Sequence, residues 1–398
     1  MLRGMETRTN IIFLLALLTL PLSGICIDLY TPSLPAITDF FHTEKAYVQI
    51  TISAFLIGFS LFQLIAGPLV DSLGRRKPLI IALLLNTIIA FSIPHLPSIQ
   101  AFIFIRILQG MAVAISSVAA RSIIIDLFAH TGDGFFKKMS LGNIVWGLGP
   151  IIAPVIGGYI QHYFSWQANF YAMAFYLLSI GLGASFFVIE TQTNFQSLHP
   201  KAILKNYLMI LKNKKFVAYS LSAGPMWGCL VLFATEGPFL IQTTLKYSSV
   251  VFGNIALCAG IVWLIGTSIC RSIIATCSNK TFYFVFSCGL VFSAVLVIAG
   301  LMGYFNLWLV SIPSILFIGV ASFIFTNHAV SSLTIFPKEI AGSVNAMSFS
   351  IISASVMLVS ALGAIQKAQS SIPLGLTYFL IMLFVLIIFC VFLKKPHE

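Results

Sequence analysis

Asp28, Glu236 and Arg106 each stand inside a long run of apolar residues. An ionisable side chain in such a place is costly and by default marks a functional site. A carboxylate there can take up and release a proton or meet a cationic ligand. Asp28 lies about 25 Å along its run from residue 11, at 1.5 Å per residue. Arg106 enters its own run from the same end, so the two are expected to reach similar depths and pair. Nearby charge and desolvation act in opposite directions on a carboxylate's proton affinity, so such a pair could exchange a proton. Plainer readings stand beside these. Asp28 could be a hydrated residue at a helix end. Arg106, roughly two turns from the end of its run, could extend its long side chain to the interface. Glu236, next to Gly237-Pro238, is expected at the outer mouth, solvated or capping a break.

No other constellation suggests catalysis. The chain has no nucleophile–base–acid arrangement, and no G-x-x-x-x-G-K-S/T sequence through which ATP would drive it. Cys26, Cys229, Cys258, Cys270, Cys277, Cys288 and Cys390 show neither C-x-x-C nor Cys/His ligand spacing. Apolar packing is their expected role, and no metal or cofactor is expected.

The elements that must position these residues follow from composition. Of 398 residues, 59% are hydrophobic and 8% charged, against roughly 25% charged in soluble domains. That excludes a cytosolic enzyme, a nucleic-acid binder and a disordered chain. A membrane-crossing helix needs about 20 mostly apolar residues. Twelve candidates occur, at 11–36, 46–70, 78–96, 99–126, 139–162, 168–189, 215–242, 250–276, 281–303, 308–333, 341–366 and 373–393. The first is expected to be a retained helix and not a cleaved leader, because it is long and runs through Pro21 and Pro32. The chain is expected to be an all-α membrane protein with the lipid bilayer as its surroundings.

The only long polar stretch, 190–214, splits the spans six and six. The expected division is a bundle over 1–189, a basic cytoplasmic linker over 190–214 and a bundle over 215–398. With the N-terminus in the cytoplasm and the spans alternating, Lys45, Lys246 and Lys367 are the only basic residues outside, and Arg106 lies within a span. The rest of the 22 Lys and Arg, including Lys201, Lys205, Lys212, Lys214 and Lys215, fall on the cytoplasmic side. This asymmetry places both termini in the cytoplasm.

Three motifs sit on this frame. Gly67-Pro68-Leu69-Val70-Asp71-Ser72-Leu73-Gly74-Arg75-Arg76-Lys77, between spans 2 and 3, fits G-x-x-x-D-x-x-G-R-K/R. Gly67 is expected to admit a neighbouring helix, Gly74 to permit a tight turn, and Asp71 to pair with nearby cations or helix N-termini. With Arg121 and Asp126 at the end of span 4, this region is expected to form a cytoplasmic gate; plain surface solvation is the alternative. Arg106-Ile107-Leu108-Gln109-Gly110 opens span 4 as R-x-x-Q-G. Span 5 carries Gly149, Pro150, Pro154, Gly157 and Gly158, a pattern that kinks a helix and lets it pack tightly. Tyr30, Gln109, Asn143, Trp146, Trp227 and Asn254 are candidate cavity residues, with Asn327 and Asn345 behind them. His328 is expected at the interface near the cytoplasmic end.

These elements resemble the Bcr/CflA-type drug:proton antiporters of the major facilitator superfamily. Asp28-Leu29-Tyr30-Thr31-Pro32-Ser33-Leu34-Pro35 is similar to that family's D-M-Y-L-P-x-L-P. Arg121 to Phe128 is similar to its A-R-A-I-x-R-D-L-F segment, with Ile125 at a usually basic position, and Trp166 to Phe170 to its W-R-x-x-F. The resemblance is specific over residues 1–190. In the second half it rests on hydropathy and Glu236-Gly237-Pro238-Phe239. It implies a twelve-helix facilitator fold with alternating access, and export of small organic molecules in exchange for protons. It also implies a working monomer in a bacterial inner membrane, with the proton gradient as energy source. Proton-coupled uptake or export of one metabolite, and a transport-inactive sensor, are the other functions considered.

Overall fold

The computed structural model describes residues 2–129, 133–192, 200–273, 278–337, 340–366 and 370–394, and every regular element among them is helical. Span 1 is broken into α1 (Leu2–Thr19), α2 (Leu22–Asp28) and α3 (Leu34–Phe40), with a 3-10 turn at Thr31–Ser33. Pro21, Pro32 and Pro35 stand at the joints, because proline removes a backbone donor and clashes with the preceding turn. Thr31 Oγ1 donates to Asp28 O at 2.9 Å, and Gln242 Nε2 donates to Pro32 O at 2.8 Å, so acceptors at the break are satisfied.

Spans 2 to 6 are α4 (Lys45–Leu73), α5 (Arg76–Ser92), α6 (Ile99–Phe128), α7 (Asp133–Tyr163) and α8 (Trp166–Phe187). A helix the polar composition does not announce, α9 (Pro200–Leu211), lies in the 190–214 segment. Span 7 is α10 (Lys214–Pro238), continued by a π-helical turn over Phe239–Thr244. Spans 8 to 12 are α11 (Ser249–Ile273), α12 (Asn279–Leu301), α13 (Leu307–Leu333), α14 (Ala341–Ile365) and α15 (Ile372–Ile388). Twelve stretches are long and apolar enough to cross a membrane, from Thr7–Phe40 to Ile372–Leu393, and they coincide with the expected spans to within a few residues.

Ser98, Ser165, Asn213, Ser278 and Asn306 cap helix starts, each accepting a backbone N–H three residues on. Such caps satisfy donors that the first turn leaves open. Bulky side chains such as Phe104, Phe175 and Trp308 face outward, each more than 60% exposed. Water would disfavour that surface, and acyl chains suit it.

One buried apolar cluster is drawn mainly from residues 12–188, joined by Trp227, Val231 and Val356 among others. A second is drawn from residues 218–393. Helix α4 lies against α6 at a tight crossing, where a Cβ on Gly58 would strike Ile107 O and one on Gly110 would strike Phe55 O. The Gly of the R-x-x-Q-G element thus serves this crossing. Gly67 does not admit a helix as expected, since nothing lies within 4 Å of a Cβ built there. The close approach on α4 is at Gly58, more than two turns earlier. Helix α4 also packs along α14, and α7 along α11.

Candidate functional site

Asp28 ends α2 where span 1 breaks, and its side chain lines a small cavity with Ser23, Trp146, Pro150, Trp227 and Leu230. The residue is 8% exposed. No side-chain hydrogen bond or ion pair to its carboxylate occurs among the described residues. Trp146 Nε1 donates to Ser23 Oγ at 3.1 Å, fixing one wall. The Trp146 and Trp227 rings meet at 6.2 Å and 63°. Phe349 flanks Trp146 at 6.4 Å, and Phe325 flanks Trp227 at 6.3 Å. The cavity therefore has aromatic walls from both halves of the chain and one unpaired acid.

The expected Asp28–Arg106 pair does not form. Arg106 is fully buried and held elsewhere. Its Nε donates to Thr51 O at 3.3 Å, its Nη1 donates to Gln109 Oε1, and its guanidinium lies 4.9 Å from the Tyr30 ring and 4.6 Å from the Phe55 ring. Tyr30 Oη bonds Thr51 Oγ1 at 2.8 Å. Two rings, a backbone acceptor and Gln109 hold the guanidinium within the protein, with Nη2 left without a partner, so Arg106 does not extend to an interface. Tyr30 and Gln109 thus build the Arg106 cage and are absent from the cavity lining. Asn143 and Asn254 are exposed on their helices and are not in that lining either. Height along a helix does not fix the direction a side chain faces, which is why these four positions and the pairing were misplaced.

Glu236 is not solvated, being 2% exposed. It forms an ion pair with Lys45 Nζ at 3.3 Å and accepts from Gln49 Nε2 at 2.9 Å; Gln49 also donates to Thr235 O at 3.1 Å. The backbone shifts from α to π geometry just after Glu236, and the Phe239 N–H turns to Glu236 O, leaving Thr235 O to Gln49. Lys45 and Gln49 sit one turn apart on α4, so they meet Glu236 together. Further links between the halves are Ser249 Oγ to Gly158 O at 2.9 Å, Ser53 Oγ to Ser360 Oγ at 3.1 Å and Ser350 Oγ to Ser60 O at 2.8 Å. With the Gln242–Pro32 bond, these run from the Lys45 end of α4 to its middle.

At the opposite end, Arg75 pairs with Asp71, and its Nε donates to Asp126 Oδ2 at 3.2 Å. Thr191 Oγ1 donates to the same oxygen at 2.8 Å. Glu190, absent from the expected set, accepts from Arg75 N at 2.8 Å and Arg76 N at 3.2 Å. Its negative charge therefore sits at the start of α5, where orphan N–H groups and the helix dipole favour an anion. Gly74 has φ +87°, and a Cβ there would also strike the Glu190 carboxylate. Arg76 Nη2 donates to Ser185 O at 3.0 Å. Arg121 joins none of these contacts. Every partner found for Asp71 and Asp126 lies within residues 71–192, so in this conformation the acids tie the first half to itself and to the start of the 190–214 segment.

The span-5 motif packs on two neighbours. A Cβ on Gly149 would lie 2.7 Å from Pro21 O, and one on Gly157 would strike Leu29 O, so these glycines seat α7 against the breaks in span 1. Pro150 lies against Gly24. On the other side, a Cβ on Gly158 would lie 2.7 Å from Ser249 O, and one on Gly253 2.9 Å from Pro154 O. Asn169 Nδ2 donates to Gly157 O at 3.2 Å.

His328 is buried between Tyr219 and Phe282, not at the interface. Cys26, Cys229 and Cys270 are buried and Cys288 is half-buried, whereas Cys258 and Cys390 are exposed and so depart from the packing role. Cys277, and Lys338, Lys367 and Lys395 of the charge pattern, lie outside the described residues.

Fold and site together define a multi-pass membrane protein with a cavity between its halves. The backbone is similar to that of a bacterial homolog of the human lysosomal transporter Spinster, solved in an inward-facing and unoccupied conformation. The TM-score is 0.77 at 11% identity, over 98% of this chain and 99% of that one. The chain belongs to the Major Facilitator Superfamily, whose family model matches residues 16–286. It is 27% identical over 376 residues to the bicyclomycin resistance protein homolog of Haemophilus influenzae, covering 94% of each chain. It is 27% identical over 247 residues to the chloramphenicol resistance protein CraA of Acinetobacter baumannii, covering 62% of this chain and 59% of that one. The resemblance to Bcr/CflA-type proteins is thus borne out, and the family is one of transporters, not enzymes.

Proposed function

We propose that this protein exports small amphipathic organic molecules, drugs among them, in exchange for protons by alternating access. Asp28 carries the reading: a carboxylate with no fixed partner, set among aromatic side chains from both halves. Apolar walls with few polar anchors suit amphipathic ligands. The drug-resistance relatives support the substrate class.

Two six-helix bundles, residues 1–189 and 215–398, move about the cavity, with 190–214 as their cytoplasmic link. The basic end and both termini face the cytoplasm of a bacterial inner membrane. The polar links between the halves gather toward the Lys45 end, which supports a conformation closed outside and open to the cytoplasm. There Asp28 releases its proton as a cationic substrate enters, and the substrate's charge takes the proton's place. The Lys45–Glu236 pair then parts as the outer face opens, and an external proton displaces the substrate. Arg106 is a fixed charge behind Tyr30, Glu236 belongs to the outer closure, and the Asp71–Arg75–Asp126 cluster keeps the cytoplasmic gate in shape. The working unit is a monomer, and the proton gradient supplies the energy without a cofactor.

The test uses inside-out vesicles with an acidic lumen and a panel of cationic, neutral and zwitterionic antimicrobials, following lumenal pH with a dye. Substrate-dependent proton loss in the wild type, absent in Asp28→Asn at equal insertion, is expected. The same response in both proteins would contradict the reading.

A further inference from the structure

We propose that α9 is an interfacial strap whose outer face binds anionic phospholipid headgroups of the leaflet at the basic end. The proposal stands apart from the transport reading, since it needs only that the chain spans a membrane.

The inner face of α9 is anchored. Tyr207 and Ile210 are buried with Phe216, Val344 and Met347 in a small cluster joining α9 to α10 and α14. Tyr207 Oη donates to Leu64 O at 2.8 Å. That carbonyl would ordinarily accept from residue 68 of the same helix, but residue 68 is Pro and has no N–H. Tyr207 therefore satisfies an acceptor that Pro68 sets free, at a depth fixed by span 2.

The outer face is apolar and basic together. Leu204, Leu208 and Leu211 follow at i, i+4 and i+7, one ridge on the helix, exposed by 58%, 52% and 42%. Lys205, Lys212, Lys214 and Lys215 are exposed beside it. None of the four has an acidic partner among the described residues. An apolar ridge with flanking lysines is the pattern of a helix lying in the membrane interface. Juxtamembrane lysine clusters attract anionic lipid surfaces. The charge complementarity selects an anionic leaflet over a neutral one, and the ridge selects a membrane over a soluble acidic partner. Because α9 touches α4 through Leu64 and α14 through Val344 and Met347, headgroups held there bear on the cleft between the halves.

The full-length protein would be placed in nanodiscs of phosphatidylcholine alone or with phosphatidylglycerol. Hydrogen exchange over residues 200–211 would be followed, and retained phosphatidylglycerol counted by native mass spectrometry. Phosphatidylglycerol should slow exchange in the wild type. A variant with Lys205, Lys212, Lys214 and Lys215 changed to Gln should lose that slowing and hold phosphatidylglycerol more weakly, by roughly fivefold per lysine removed. Changing Lys137 and Lys280 instead should leave both readouts as in the wild type. Equal exchange in the two lipids, or equal retention by the wild type and the four-lysine variant, would overturn the proposal. So would slowing that follows protein concentration, which would put a second copy of the chain on this face.

Discussion

Asp28 and Arg106, two ionisable side chains buried in the first half, have opposite surroundings. Asp28 faces a cavity with no fixed partner, whereas Arg106 is closed in by Tyr30, Phe55, Thr51 and Gln109. A planar guanidinium stacks and forks where an ammonium cannot. Arg106→Lys is therefore expected to insert normally but to lower the melting temperature in detergent and reduce transport. Wild-type values for both would show that the cage has no need of the planar group. Gly157 is a sharper case, because a Cβ there would strike the backbone oxygen of Leu29, which cannot give way as a side chain can. Gly157→Val should destabilise by about 1–3 kcal/mol, read as a lower melting temperature. Gly147→Ala, with nothing within 4 Å of the added Cβ, is the open-space comparison and should change little. The Gly and Pro types of span 5 were legible because hydropathy and motif spacing are local properties. Whether each glycine met span 1 or span 8 was not, since that depends on the direction each faces.

At the scale of elements, helix ends and breaks are completed by residues far away in sequence. The start of α5 is capped by Glu190, 115 residues from Arg75. Glu190→Ala should cost about 1 kcal/mol, measurable as faster hydrogen exchange at the start of α5; unchanged exchange would remove the cap. Tyr207→Phe leaves Leu64 O without its donor, an expected loss of about 1–3 kcal/mol, seen as faster exchange across α9. Burial pushes the Tyr207 phenol above its ordinary value. A phenol raised on folding contributes fully below its unfolded pKa and loses that contribution only as pH rises beyond it, so the α9 anchor should not change between about pH 6 and 8. Lys45, Gln49 and Glu236 join the two halves at the Lys45 end of α4, from at least 187 residues apart in sequence. Lys45→Gln removes the half-buried cation and leaves the buried Glu236 carboxylate without its ion-pair partner, a destabilising change. Spin-label distances across that end should lengthen in the variant; an unchanged distribution would show that the pair does not hold the end shut. Sequence could place Lys45 and Glu236 at one end of their spans but not in contact, because nothing local joins them.

For the whole molecule, span count and the concentration of basic residues were readable from composition alone, because a bilayer constrains length and charge so strongly. Helix α9 was hidden because its lysines masked an apolar periodicity only twelve residues long. The cavity was half legible: Trp146 and Trp227 were found as large aromatics within spans, while Asn143 and Asn254 proved to be exposed and absent from its lining. The central claim is that one carboxylate in that cavity holds either a proton or a cationic substrate. It is tested most directly with purified protein in weakly buffered detergent, by adding a lipophilic aromatic cation such as ethidium and recording bound ligand and released protons together. Proton release that saturates with binding, and disappears in Asp28→Asn, is the expected result. Saturable binding without proton release in the wild type, or release that persists in Asp28→Asn, would contradict the claim.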